Sequence, residues 1–173
     1  MTDQESAGAG CAEMGALAEA HGRLKAFEGK FSAVCSLWMG PGDPMVTTGV
    51  MENTLALGGR FLRQDYTGDP SDGPFSNFEG RGYWGYNTVT KKYEGFWIDT
   101  ASTSMQNETG DVDAAGKVWT MVGTMTDPQS GNPMTKRSVI TLQDDDHHQI
   151  EMFFQGPDGN EFKAMEIKYT RKT

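Results

Sequence analysis

A chain of 173 residues has the length of one domain and can bury most of its apolar surface around a single core. Its apolar content is only 36%, yet 4 Trp, 5 Tyr and 9 Phe exclude a disordered chain, because each buried ring removes a large area from water. A formal charge of −9 at pH 7 serves solubility and repels phosphate backbones and anionic lipid surfaces, which removes nucleic acid and membranes from the expected partners.

In chain order, residues 1–10 are small and polar and predict a flexible tail ahead of one domain spanning residues 11–173. They hold no basic start and no apolar stretch, and nowhere do about 18 apolar residues occur in succession, so a cytoplasmic protein is expected. Cys11 and Cys35 do not make a disulfide framework. Within residues 11–27, Leu17, His21, Leu24 and Phe27 recur at helical spacing. Gly15 and Gly22 weaken that pattern, so a short helix is predicted, laid across one end or side of a barrel and stopped at Gly29.

From Gly29 onward the period changes to two. Phe31, Ala33, Cys35, Leu37 and Met39 share one face before Gly40 to Pro44 turn the chain. Further alternating segments are predicted over residues 45–57, 60–67, 77–86, 92–100, 104–109, 117–125, 134–142, 148–155 and 161–170. About ten short strands joined by Gly, Pro, Asn and Asp turns predict an all-β fold, an antiparallel up-and-down barrel, since no connection can hold a crossover helix.

The strand with Tyr93, Gly95, Trp97 and Asp99 on one side and Phe96 and Ile98 on the other must be covered twice. The lumen covers one side, and the helix, a loop or a second copy of the chain covers the other, which admits a homodimer. Trp97 then reads either as core or as the flat wall of a ligand pocket, with Asp99 as its polar group and Tyr86 and Trp84 as further lining. Arg137, alternating with Val139 and Thr141, would need a carboxylate if it faced inward; Glu52, Asp65, Asp99, Glu151 and Glu166 are the strand-borne candidates. Such a pair would anchor a ligand carboxylate or hydroxyl. It would also suit an enzyme with Asp99 or Glu52 as general base and Arg137 as electrostatic stabiliser.

Several motifs carry no chemistry. Asp144, Asp145, Asp146, His147 and His148 offer metal donors, but consecutive strand residues point to opposite sides and do not converge on one ion. Asp111 and Asp113 open like a calcium loop, yet Val122 stands where the final acid is required. No nucleophile elbow occurs, Cys35 has no base near it in sequence, and His21 lies on the helical stripe. Gly80, Gly82 and Gly85 precede no helix and bend a strand rather than cradle a phosphate. No catalytic residue, metal or cofactor is therefore assigned.

Four blocks, Leu57 to Leu62, Gly82 to Asn87, Lys91 to Tyr93 and Trp97 to Thr100, resemble a bacterial family of unknown function related to the calycin barrels that include lipocalins. Ile140 to Leu142, Asp144 to His148, Gly156 to Gly159 and Met165 to Thr170 extend the likeness over nearly everything after about Leu24. The resemblance implies a barrel and lends no catalytic residues. The function expected is binding of a small apolar molecule with one polar end inside the lumen. A packed homodimeric interaction module and a buried-carboxylate enzyme are the alternatives.

Overall fold

The computed structural model describes residues 14–73, 75–128, 130–156 and 159–173; the expected tail and Cys11 lie outside them. Ten strands succeed one another: β1 (Gly29–Leu37), β2 (Met45–Ala56), β3 (Phe61–Gly68), β4 (Glu79–Asn87) and β5 (Lys92–Asp99), then β6 (Gln106–Val112), β7 (Val118–Thr126), β8 (Pro133–Leu142), β9 (His147–Gln155) and β10 (Glu161–Arg171). Each pairs antiparallel with the next, and β1 pairs with β10 from Phe31↔Arg171 to Leu37↔Met165. The sheet is a closed up-and-down barrel without an edge, and the alternation in the sequence marks its strands to within a few residues.

Turn chemistry fixes the registers. Between β2 and β3, Leu57, Gly58 and Gly59 take φ of 51°, 70° and 84°, a geometry the two glycines hold without strain. Between β6 and β7, Asp113 accepts the amides of Lys117 and Val118 at 2.8 and 3.0 Å, and these bonds hold its carboxyl below the usual range. The segment that began like a calcium loop is thus a self-bonded turn.

The helical segment is shorter than its stripe predicts. It comprises α1 (Glu19–Gly22) continued by a 3-10 turn, Arg23–Phe27, and Leu17 stays 52% exposed while His21, Leu24 and Phe27 are buried. Ahead of it the Ala18 amide donates to His21 Nδ1 at 2.9 Å, so the imidazole caps the start. Leu24 and Phe27 enter one end of the barrel and close it.

Three strand residues fasten this plug by its carbonyls, which a short helix otherwise leaves unpaired. Asn53 Nδ2 donates to the Phe27 carbonyl at 2.9 Å, and the Tyr93 hydroxyl to that of Ala20 at 3.0 Å. Arg171 donates to the Glu28 and Ala26 carbonyls at 2.7 and 3.0 Å. Gly29 passes beside it with φ of 126°, where a β-carbon would strike the Arg171 guanidinium.

Among the described residues, the two-sided strand β5 is covered on its inner side and only in part on its outer side. Tyr93 and Trp97 face the barrel interior, whereas Phe96 stacks on Tyr83 of β4 outside, ring centres 5.9 Å apart. Among the described residues, Tyr83 and Ile98 on that outer face remain 37% and 38% exposed.

Candidate functional site: the open half of the lumen

Inward aromatic residues pack the plugged half. Phe27, Trp84, Tyr93 and Trp119 meet edge to face or tilted with ring centres 5.1 to 6.0 Å apart, and Leu24 and Leu62 are fully buried beside them. Beyond this floor lies a cavity of about 300 Å³ that reaches the loops at the opposite end, near Asp69, Phe75 and Asp99. Its wall is largely flexible and apolar, with Met51, Met121, Met152, Met165, Ile150 and Ile167 among its residues.

One polar cluster interrupts that wall, and the strand registers explain it. Gly95 of β5, Glu108 of β6, Gly123 of β7 and Lys136 of β8 lie in one row across the sheet. Because Gly123 has no side chain, Glu108 and Lys136 reach over β7 and meet, Nζ to Oε1, at 2.6 Å. Lys136 Nζ also donates to Gln106 Oε1 at 3.0 Å, and the Ser138 hydroxyl donates to Glu108 Oε1 at 2.8 Å. Lys136 and Ser138 are 5% and 1% exposed, so this is a buried, hydrogen-bonded ion pair.

Trp97 forms a second fixed feature. Its indole lies over Gly80 and Gly82 of β4, where a β-carbon would overlap Trp97 Cζ2 and fall 2.8 Å from Cε3. Its Nε1–H donates to Asp99 Oδ2 at 3.1 Å, while Asp99 Oδ1 accepts the amides of Ala101 and Ser102 at 3.0 and 3.1 Å. Trp97 is therefore held flat against the wall, and both oxygens of Asp99 are engaged in holding it.

Other residues expected at the site lie elsewhere. Trp84 belongs to the aromatic floor and meets the cavity from below. Tyr86 packs in the plugged half against His21 and Tyr93, at 5.7 and 5.1 Å. Glu52 faces outward, 3.7 Å from Lys30 and more than half exposed. Arg137 is also outside: its guanidinium pairs with Glu161 at 2.7 Å and lies over the Phe153 ring. The inward cation of β8 is Lys136, because Ser138 and Ile140, two and four residues on, face the interior. Asp65, Glu151 and Glu166, offered as partners for Arg137, pair with outer cations instead, Asp65 with Arg81 and the two glutamates with Lys163.

The two adjacent histidines diverge as strand geometry demands. His147 bonds Asp144 outside at 2.8 Å. His148 points inward, stacked on Tyr169 with centres 4.4 Å apart and edge-on to Phe31 at 4.6 Å. Burial, with a smaller contribution from the Arg171 charge, pushes its pKa down to about 3, so it is neutral at pH 7. Burial pushes Tyr66 up to about 12, Tyr169 far above the usual phenol range, and the Cys35 thiol upward despite a bond from Thr47. The wall of the cavity below its rim thus carries one balanced charge pair in a neutral surround.

A closed ten-stranded barrel, plugged at one end and hollow at the other, defines a class of cavity-bearing β-barrel proteins. Within it the chain matches the family described as "Protein of unknown function (DUF1579)" over residues 17–171 and belongs to that family. No curated protein matches the chain. A solved structure of a redesigned beta barrel is similar at 15% identity and a TM-score of 0.44, covering 91% of this chain and 99% of that one.

Proposed function

We propose that this protein is a calycin-like binding protein whose open lumen takes up one small, mostly apolar molecule and orients its polar end at the Lys136–Glu108–Ser138 cluster. One observation carries this reading: a cavity of about 300 Å³ adjoins a buried ion pair in an otherwise apolar wall. A buried pair is often no more stabilising than apolar residues of the same volume, so its placement beside open space fits a recognition role. At about 30 Å³ per water-sized group, the space suits a guest of about ten non-hydrogen atoms.

The carrier reading extends to location. The outer face holds ion pairs such as Lys30–Glu52, Arg81–Asp65 and Lys163–Glu151, which a lipid-facing band would not tolerate. Among the described residues no helix is long and apolar enough to cross a membrane. The free Cys35 thiol fits a reducing compartment, so we place the protein in the bacterial cytoplasm. An enzyme built on Glu52 or Asp99 loses support, because Glu52 faces solvent and Asp99 is fully engaged.

The test is titration of protein carrying isotope-labelled methionine methyl groups with decanol, monitored by NMR. Saturable shifts at Met51, Met152 and Met165, with exposed Met39 unmoved, are the expected result. Absence of any saturable shift up to the solubility limit, with decanol and with 2-naphthol alike, in protein shown to be folded, rejects the reading. A second reading, self-association through the outer face of β4 and β5, rests on the exposure of Tyr83 and Ile98 there. Sedimentation equilibrium showing a monomer at high concentration removes it.

A further inference from the structure

Resting on the binding reading above, we infer that the guest is a flat aromatic or heteroaromatic ring bearing a neutral group that both donates and accepts hydrogen bonds, such as a hydroxyl or a carboxamide. It lies face-on against Trp97 with its polar edge turned to Gln106, Lys136 and Glu108.

The indole is prepared for stacking before any guest arrives. Gly80 and Gly82, two successive inward positions of β4, give up their side chains where the ring lies. Glycine inside a strand costs stability, so a pair of them under one indole marks a close approach that the fold retains. The covered face rests on backbone, the Nε1–H is bonded to Asp99, and Asp99 is fixed by its own turn. The other face lines the cavity. A ring held this way loses little freedom when a second ring stacks on it, and offset stacking adds to the gain from burial alone.

The polar cluster starts on the strand next to that platform and lines the same cavity. Gln106 is the register partner of Trp97, and its Oε1 accepts from Lys136. Of the three ammonium hydrogens on Lys136, Glu108 and Gln106 take two. Glu108 Oε1 receives both Lys136 and Ser138, while Oε2 has no hydrogen-bond partner among the described residues. One donor and one acceptor of the cluster therefore remain without a partner among the described residues, in the cavity that Trp97 also lines.

Charge selects between head groups. Lys136 is balanced by Glu108, His148, Tyr66 and Tyr169 elsewhere on the cavity wall are neutral, and Asp69 and Asp99 stand at the mouth. A carboxylate guest would be buried without a free cation to balance it and would enter past two acids. A hydroxyl or amide meets the remaining donor and acceptor without adding charge.

Calorimetric titration at neutral pH with 2-naphthol, decanol and 2-naphthoate tests each part, using wild type, Trp97→Leu and Trp97→Phe. The expected result is that 2-naphthol binds wild type, that its preference over decanol falls about fivefold in Trp97→Leu, and that Trp97→Phe keeps most of it. Wild-type protein should also show nuclear Overhauser contacts between 2-naphthol protons and the Trp97 indole, a readout that needs no variant to fold. Binding of 2-naphthoate should be at least about tenfold weaker than that of 2-naphthol, as an uncompensated buried charge requires. Decanol binding with no advantage for 2-naphthol and no indole contact overturns this inference and leaves the carrier reading standing. Equal binding of 2-naphthoate overturns the neutral head group, and failure of both alcohols overturns the carrier reading itself.

Discussion

At the plugged end of the barrel, Phe27, Trp84, Tyr93 and Trp119 pack ring against ring; at the open end, methionines and isoleucines surround about 300 Å³ of space. The plugged end depends on ring contacts and on plug carbonyls fastened by Asn53, Tyr93 and Arg171. The open end depends on strand pairing and one internal ion pair. Comparing them separates what closes the barrel from what its interior is free to do. Stability concentrated in one half lets the other remain hollow.

The largest expected effect breaks the filled half. Trp119 is 0% exposed and contacts Phe27, Trp84 and Tyr93, so Trp119→Ala should cost about 3–5 kcal/mol, a large share of a domain's margin. Met165→Ala in the open half removes a partly exposed wall residue and should cost well under half of that. Urea unfolding of both variants measures the difference, and equal losses would erase the distinction between the halves.

The next effect probes the ion pair inside the open half. Lys136→Met strands Glu108 against an apolar wall and should cost about 2–3 kcal/mol, less than for a fully dry pair because the cavity admits water. Adding Glu108→Met should restore most of the loss, since the pair is replaced by side chains of similar bulk. A double-mutant cycle by urea unfolding gives the coupling. Additive losses would mean that the two groups do not depend on each other.

The barrel was legible in the sequence because strand alternation and turn residues are local signals. The interior of β8 was not. Val139 and Thr141 on one face and Ile140 and Leu142 on the other are apolar enough to hide which way the strand turns, so Arg137 and Lys136 exchanged places. Glu108 escaped because β6, Gln106 to Val112, has almost no apolar alternation, and its partner lies on a strand two places away. The signal available was Lys136 in step with Ser138, Ile140 and Leu142, with Gly123 on the intervening strand. The helix fell short because Gly15 lies ahead of α1 and Gly22 ends it, and only the part that enters the barrel is stabilised by burial.

A pH measurement sharpens the comparison at the boundary between the halves, where His148 sits on Tyr169 near Phe27 and Phe31. Its pKa falls from an ordinary 6.5 to about 3, so between those values the unfolded chain binds a proton that the folded one refuses. The stabilising contribution is complete above about pH 6.5 and is lost as the pH falls toward 3, amounting to about 2 kcal/mol by pH 5. Subtracting the acid profile of His148→Phe from that of wild type isolates this contribution from those of the carboxylates. Parallel profiles from pH 7 to 5 would show that the imidazole is reached by solvent.

The smallest effect is expected one residue along from the ion pair. Arg137 pairs with Glu161 and covers Phe153, yet the pair stands on the outer surface, where water solvates both ions in the folded and unfolded chain alike. Glu161 holds Arg137 above its ordinary pKa, and Arg137 holds Glu161 below its own, but solvent screening keeps those shifts from becoming appreciable stability. Arg137→Gln should therefore leave the urea midpoint within error and leave decanol binding unchanged, while Lys136→Met alters both. Because the two positions share a strand, a backbone and nearly the same height in the barrel, the contrast depends on the side each one faces. Equal sensitivity at both positions would mean that the sheet at β8 is turned the other way round.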